Sequence, residues 1–249
     1  MRRLVNLRIV FGLFLCLTLI SAASAWPQQV NHGIRRLQIS NKTQFLTIVS
    51  VTELNGIQTA DKSLRRFQVT VRNGYSLPVV GYAFEKQDVD VGNGTASIEK
   101  NGACVGWAVA PNATDDTIFT APAEGKVVIN LSAVLLEDGQ GDGEVTQIVE
   151  MMNLRAGVKA AFQEVIPVLQ RVTDQGAEVN PQSLENEIFT ALTPQTIDAS
   201  LRRGFADAKH FFSSEMRQLK NLAHLGREVE YHSALTTLKA RLEERVVKL

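Results

Sequence analysis

An α+β architecture is what this sequence predicts: an immunoglobulin-like antiparallel β-sandwich followed by an α-helical C-terminal region. Three observations carry it. A basic and then apolar leader opens the chain, a period of two dominates residues 33–138, and a period near 3.6 takes over after Gly143. The expected organisation is a leader over residues 1–25, a sandwich over 26–142 and a helical region over 143–249.

The leader has three parts in the order a secretory signal requires. Arg2, Arg3 and Arg8 form the basic end, residues 9–20 are an apolar stretch, and Ala23-Ser24-Ala25 supplies the small residues that precede cleavage, expected at the Ala25–Trp26 bond. A spanning helix needs about 20 apolar residues. Here Ser21 and Ser24 arrive too early, so the reading is a cleaved signal rather than an anchor, with no transmembrane segment in the mature chain. The twin-arginine route is disfavoured because no Ser or Thr precedes Arg2-Arg3 and Asn6 interrupts the apolar part. The expected location is therefore the periplasm or the cell exterior.

Cysteine and charge counts then close off classes. Cys16 leaves with the leader, and Cys104 alone cannot form an internal disulfide, which excludes the disulfide scaffolds of small secreted domains. Stability has to come from burial. The chain carries 26 Lys+Arg against 26 Asp+Glu, whereas a phosphate-neutralising surface needs a basic excess, so no nucleic-acid partner is expected.

Within the first region Phe67, Val69 and Val71 alternate with Gln68, Thr70 and Arg72, the pattern of a strand with one face in a core. Asn73-Gly74-Tyr75-Ser76 offers the residues of a tight hairpin, and residues 77–84 return as a strand with Pro78 at its start. Further strands are expected at 37–39, 45–51, 104–109, 117–120 and 127–136, separated by Gly, Asn and Pro. Trp107 shares parity with Val105 and Val109 and is read as a core aromatic.

In the second region Ile148, Met151, Met152, Val158, Phe162, Val165, Ile166 and Leu169 recur at helical steps. Pro167 falls inside that stripe and predicts a kink or an end near Val165. Asn180-Pro181 and Thr193-Pro194 each place a capping side chain before a proline, which predicts two helix starts. Gly226 predicts a break. The stripe of Phe205, Phe212, Met216, Leu219 and Leu222 suits either packing inside the molecule or an assembly interface.

Chemical motifs are sparse. There is no H-E-x-x-H, no G-x-S-x-G, no phosphate-binding glycine loop and no dinucleotide fingerprint, so no catalytic or cofactor-binding residue is assigned. His224, Glu228 and His232 share a spacing of four, but the break at Gly226 separates them. Cys104 is read as an inert thiol. The metal candidates are Asp138, Asp142 and Glu144, in a stretch that imitates a calcium loop with Gln140 at its third position and Gly143 at its sixth. Its twelfth position is Val149, where a bidentate Glu belongs. The competing reading is a strand-to-helix junction whose acids favour the helix N-terminus.

Two segments, Val71-Arg72-Asn73-Gly74-Tyr75-Ser76-Leu77-Pro78-Val79-Val80-Gly81-Tyr82 and Ala133-Val134-Leu135-Leu136-Glu137-Asp138-Gly139, resemble uncharacterised exported bacterial proteins of an Acidobacteria-like group. The resemblance spans residues 60–165. It implies export and a β domain with a helical tail, and assigns no functional residue. Together these readings point to an exported noncatalytic binding or structural module of the bacterial envelope or exterior, with an unidentified protein or envelope partner. The alternatives are a hydrolase of envelope or extracellular polymer, which requires converging carboxylates, and a helix-mediated assembly factor.

Overall fold

A computed structural model describes residues 37–54, 64–89, 96–122, 125–175, 180–193 and 197–249. The leader over residues 1–25 lies outside the described residues.

Among the described residues, eight strands are followed by four helices. In chain order the strands are β1 (Leu37–Asn41), β2 (Leu46–Glu53), β3 (Leu64–Asn73), β4 (Val79–Asp88), β5 (Ala96–Asn101), β6 (Thr114–Pro122), β7 (Val127–Leu136) and β8 (Gly141–Gly143). The helices are α1 (Val145–Gln175), α2 (Pro181–Ala191), α3 (Arg202–His224) and α4 (Glu228–Lys248), with a short 3-10 turn at Ala199–Leu201 leading into α3. An α+β chain with a C-terminal helical region is therefore what forms.

The strands make two sheets. One has the order β1-β7-β4-β5 with β8 added beside β7, and the other has the order β2-β3-β6. The first sheet is mixed, which corrects the all-antiparallel expectation: β1 runs parallel to β7, with Leu37 opposite Val127. No hairpin joins those two strands, so nothing in the connection forces them antiparallel. The turn at residues 73–76 also differs from expectation. It passes from β3 in one sheet to β4 in the other rather than closing a hairpin, and the buried Asn73 side chain fixes the crossing by donating to the Leu77 and Val109 carbonyls at 2.9 and 2.8 Å.

Between the sheets lies a core of large side chains. Phe67 and Phe119 from one sheet meet Tyr82, Phe84 and Leu131 from the other, with Phe84 and Phe119 edge to face at 5.0 Å. The opposite face of the mixed sheet is covered as well, because Val80, Ala83, Ala133 and Leu135 pack on Met151 of α1. That second cover explains why β7 is buried at every position from Leu131 to Leu136 instead of alternating. Irregular registers between β4 and β7 let each strand feed both faces.

The helices build their own core. Val158, Phe162, Val165 and Leu169 of α1 meet Phe205, Phe212 and Met216 of α3 and Leu235 and Leu242 of α4. The apolar stripe of α3 is thus consumed inside the molecule. Gly157 of α1 and Gly204 of α3 touch, and a methyl group on Gly204 would lie 2.5 Å from backbone atoms of Gly157, Leu154 and Val158. Arg203 of α3 pairs with Glu99 of β5 at 2.7 Å and ties this layer to the sheet.

Three local expectations are corrected. Helix α1 continues through Pro167: Pro167 and Gln163, whose carbonyl loses its partner, both lie on the exposed side, where that oxygen remains open to solvent. Thr193 does not start a helix and instead donates to the Phe189 carbonyl at 2.7 Å, closing α2, while Asp198 caps the turn before α3. Residues 104–109 form a loop whose only ladder contact among the described residues is the bridge of Val109 to Val79. By contrast Asn180 caps α2 by accepting from the Gln182 amide, and the chain breaks at Gly226, between α3 and α4.

Candidate binding cleft between sheet and helices

The loop between β5 and β6 reaches the helical layer and forms one wall of a cleft of about 350 Å3. Gly102, Ala103, Gly106, Trp107 and Ala108 line that wall, and Pro78 and Val80 at the start of β4 form its floor. Glu137 closes one end. The facing wall is cationic: Arg155 comes from α1, and Arg241, Arg245 and Lys248 come from one side of α4 together with Glu244.

Those four cations are not equivalent. Arg241 pairs with Glu215 at 2.8 Å and lies over the Phe211 ring, and Lys248 pairs with Glu244 at 2.6 Å. Arg155 and Arg245 have no carboxylate at ion-pair distance among the described residues. Arg155 donates to the Lys248 carbonyl at 3.1 Å. Arg245 leans on the Ala103 and Gly102 carbonyls at 3.3 and 3.5 Å, long contacts for a guanidinium, and its buried Nε has no partner among the described residues.

The loop is shaped around Arg245. Gly106 adopts φ +67° and a side chain there would collide with the Arg245 guanidinium. Burial, followed by the charge of Arg241, pushes Arg245 below its ordinary pKa, and burial does the same to Arg155, with Glu137 opposing. Both cations remain protonated near neutrality, given the ordinary arginine range. What the shifts record first is the burial of positive charge, with Glu137 opposing at Arg155 and Glu244 at Arg245.

Trp107 is half-buried. Its ring packs edge-on against Tyr82 at 5.6 Å, and Lys100 lies 4.9 Å from its centroid. Lys100 and the Tyr82 hydroxyl both bind Asp115. The ring that sequence parity placed in the core therefore joins the core to the cleft.

Cys104 sits in the same loop, and burial, followed by the charge of Asp207, raises its pKa to about 12 against the opposing effect of Arg245. A thiol so raised is a poor nucleophile at neutral pH.

The acids proposed for calcium go elsewhere. Asp138 accepts from the Gln140 amide at 3.0 Å within its turn, Asp142 accepts from the Gln44 and Phe45 amides in the β1–β2 connection, and Glu144 stands exposed just before α1. Among the described residues no three of His, Cys, Asp and Glu gather as a metal site. His224 ends α3 and Glu228 begins α4, so their spacing of four spans a chain reversal.

The sequence reading missed the cleft. Its residues are dispersed, from Pro78 to Lys248. Part of its cationic wall nonetheless leaves a signal, because Arg241, Arg245 and Lys248 follow steps of four and three and share one helix face.

No family model matches the chain, and no curated protein matches it. Among solved structures, a Bordetella pertussis protein given the provisional name ApaA is similar to part of it at 18% identity, covering 42% of this chain and 91% of that one, with a TM-score of 0.25. A structural genomics target is similar at 13% identity, covering 40% of this chain and 83% of its own, with a TM-score of 0.24. Likenesses this weak carry no argument about fold or function.

Proposed function

We propose that the protein is an exported noncatalytic binding module of the bacterial envelope or exterior, and that the cleft between the mixed sheet and the helices is its binding site. The observation that carries this reading is the cleft itself, lined by Trp107 and by two guanidiniums that have no carboxylate at ion-pair distance among the described residues. Its volume falls at the lower end of the roughly 300–1,000 Å3 range of small-molecule sites. Export rests on the basic, apolar and small-residue order of residues 1–25. Among the described residues no helix is long and apolar enough to cross a membrane. Kinship with the Acidobacteria-like exported group, and an immunoglobulin-like architecture for the two packed sheets, belong to the same proposal.

The hydrolase alternative needs a carboxyl group held protonated beside a second one. In the cleft, a hydrogen bond from Lys248 and its charge hold Glu244 below the usual carboxylate range, the reverse of that requirement. The assembly alternative needs an open apolar face on α3, and that face is consumed in the helical core.

The test has two readouts. Expression of the full chain in a bacterial host should yield a periplasmic product whose N-terminus is Trp26, and a product retained whole in the cytoplasm would overturn export. Filling the cleft by Ala108→Trp should abolish small-molecule binding by the purified protein without lowering its melting temperature. Unchanged binding in that variant would overturn the assignment of the cleft.

A further inference from the structure

The charges of the cleft specify what it holds, an inference that rests on the binding reading above. We infer that the ligand is a small monocarboxylate with an apolar, preferably aromatic, body, its carboxylate held between Arg155 and Arg245 and its body against Trp107.

Three features support this assignment. Charge matching comes first. Of the four cations, Arg241 and Lys248 are already neutralised by Glu215 and Glu244, and Arg155 feels Glu137, so the uncompensated charge suits one anionic group rather than several. Guanidiniums from α1 and α4, on the same cationic wall, can each offer paired N–H donors to a planar carboxylate. Arg245 spends its donors on long contacts of 3.3 and 3.5 Å, so a carboxylate would replace weak bonds with strong ones.

The second feature is what the cleft lacks. Phosphate sites typically use the N–H groups of a helix N-terminus or a glycine nest. No lining residue lies in the first turn of a helix, since Arg155 is well inside α1 and the α4 residues belong to its last turns, and the N–H groups of Gly102 and Gly106 are already given to the Val80 and Gly102 carbonyls at 3.2 and 2.7 Å. The third is the apolar lining. Pro78, Val80, Ala103, Trp107 and Ala108 offer contact area without demanding hydrogen bonds from side chains, and a ligand of purely polar character would leave that surface unmatched.

Trp107 also provides the readout. Trp26 is the other tryptophan of the chain, so in a full-chain Trp26→Phe variant the emission reports the cleft alone. Titration with 3-phenylpropionate should change that emission saturably, and added sodium chloride should weaken the effect. Arg155→Gln and Arg245→Gln should each weaken binding about tenfold or more, as loss of a charge-assisted hydrogen bond does. Glu137→Gln should tighten it. Should Arg245→Gln fail to fold by circular dichroism, Arg155→Gln and Glu137→Gln carry the test with opposite expected signs.

The uncharged 3-phenylpropanamide and inorganic phosphate complete the comparison. Equal binding of the amide, or binding of phosphate in preference to the carboxylate, would overturn the monocarboxylate assignment while leaving the cleft a binding site. A Trp107 signal that responds to none of the three probes overturns both.

Discussion

The two faces of the mixed sheet are buried in different ways. Its inner face meets the second sheet through rings, with Tyr82, Phe84 and Phe119 fully buried. Its outer face meets α1 through Val80, Ala83, Ala133 and Leu135, which pack on Met151 and Ile148 with no ring among them. Small residues let a helix lie close to the strands, while large ones hold two twisted sheets apart. The outer seam is consequently thin, and polar links supplement it: the Ser132 hydroxyl donates to Gln147 at 2.5 Å, Gln147 donates to Glu85 at 3.2 Å, and Arg203 pairs with Glu99. The cleft opens along this thinner seam, where packing leaves room for a ligand.

The comparison can be broken most forcefully on the inner face. Phe119→Ala removes a fully buried ring packed edge to face with Phe84 and should cost about 3–5 kcal/mol, read as a fall in the urea midpoint with the slope unchanged. A cost below about 1 kcal/mol would mean that the inner seam is not the main support of the sandwich. Met151→Ala tests the outer face and should cost about 2–3 kcal/mol, less than Phe119→Ala in the same assay. If the order is reversed, the ranking of the two seams is wrong.

The helical layer is probed by Gly204→Ala. Alanine gains about 1 kcal/mol in helix propensity but forces α1 and α3 apart, and overpacking of this kind costs about 1–3 kcal/mol. A small net destabilisation is expected by thermal melting. A stabilised variant would refute the close glycine crossing.

The smallest expected effect is one of pH. The folded-state pKa of Cys104 is raised from 9.0 to about 12, so between those values the folded protein holds a proton that the unfolded chain releases. Stability from this group is full below about pH 9 and is lost as pH rises toward 12. Burial of Tyr82 acts in the same direction, which makes Cys104→Ala in a Tyr82→Phe background the clean comparison. Its alkaline loss of melting temperature should be smaller than that of Tyr82→Phe alone.

Which parts of this were legible follows from how many faces each element buries. Strand β3 alternates because it has one buried face, and its period of two is visible in Phe67, Val69 and Val71. Strand β5, Ala-Ser-Ile-Glu-Lys-Asn at a sheet edge and nowhere fully buried, shows no period and was missed. Residues 104–109 have the right parity but no partner strand beyond Val79, since Val105 and Gly106 are exposed. The reading of Pro167 as a break failed because the penalty depends on whether Gln163 faces the core or solvent, which spacing alone does not reveal. The cleft was invisible for a different reason: Arg155 and Arg245 come to line one cleft only after the helices fold back on one another.

The parallel pairing of β1 with β7 also sets a timetable. Leu37 waits for Val127, so the mixed sheet cannot close until most of the strand-forming chain is available. Contacts so distant in sequence make assembly slow, because loop entropy must be surrendered before the pairing is gained. A polypeptide arranged this way keeps its first strand without a sheet partner until β7 is in place, so the mixed sheet is completed late.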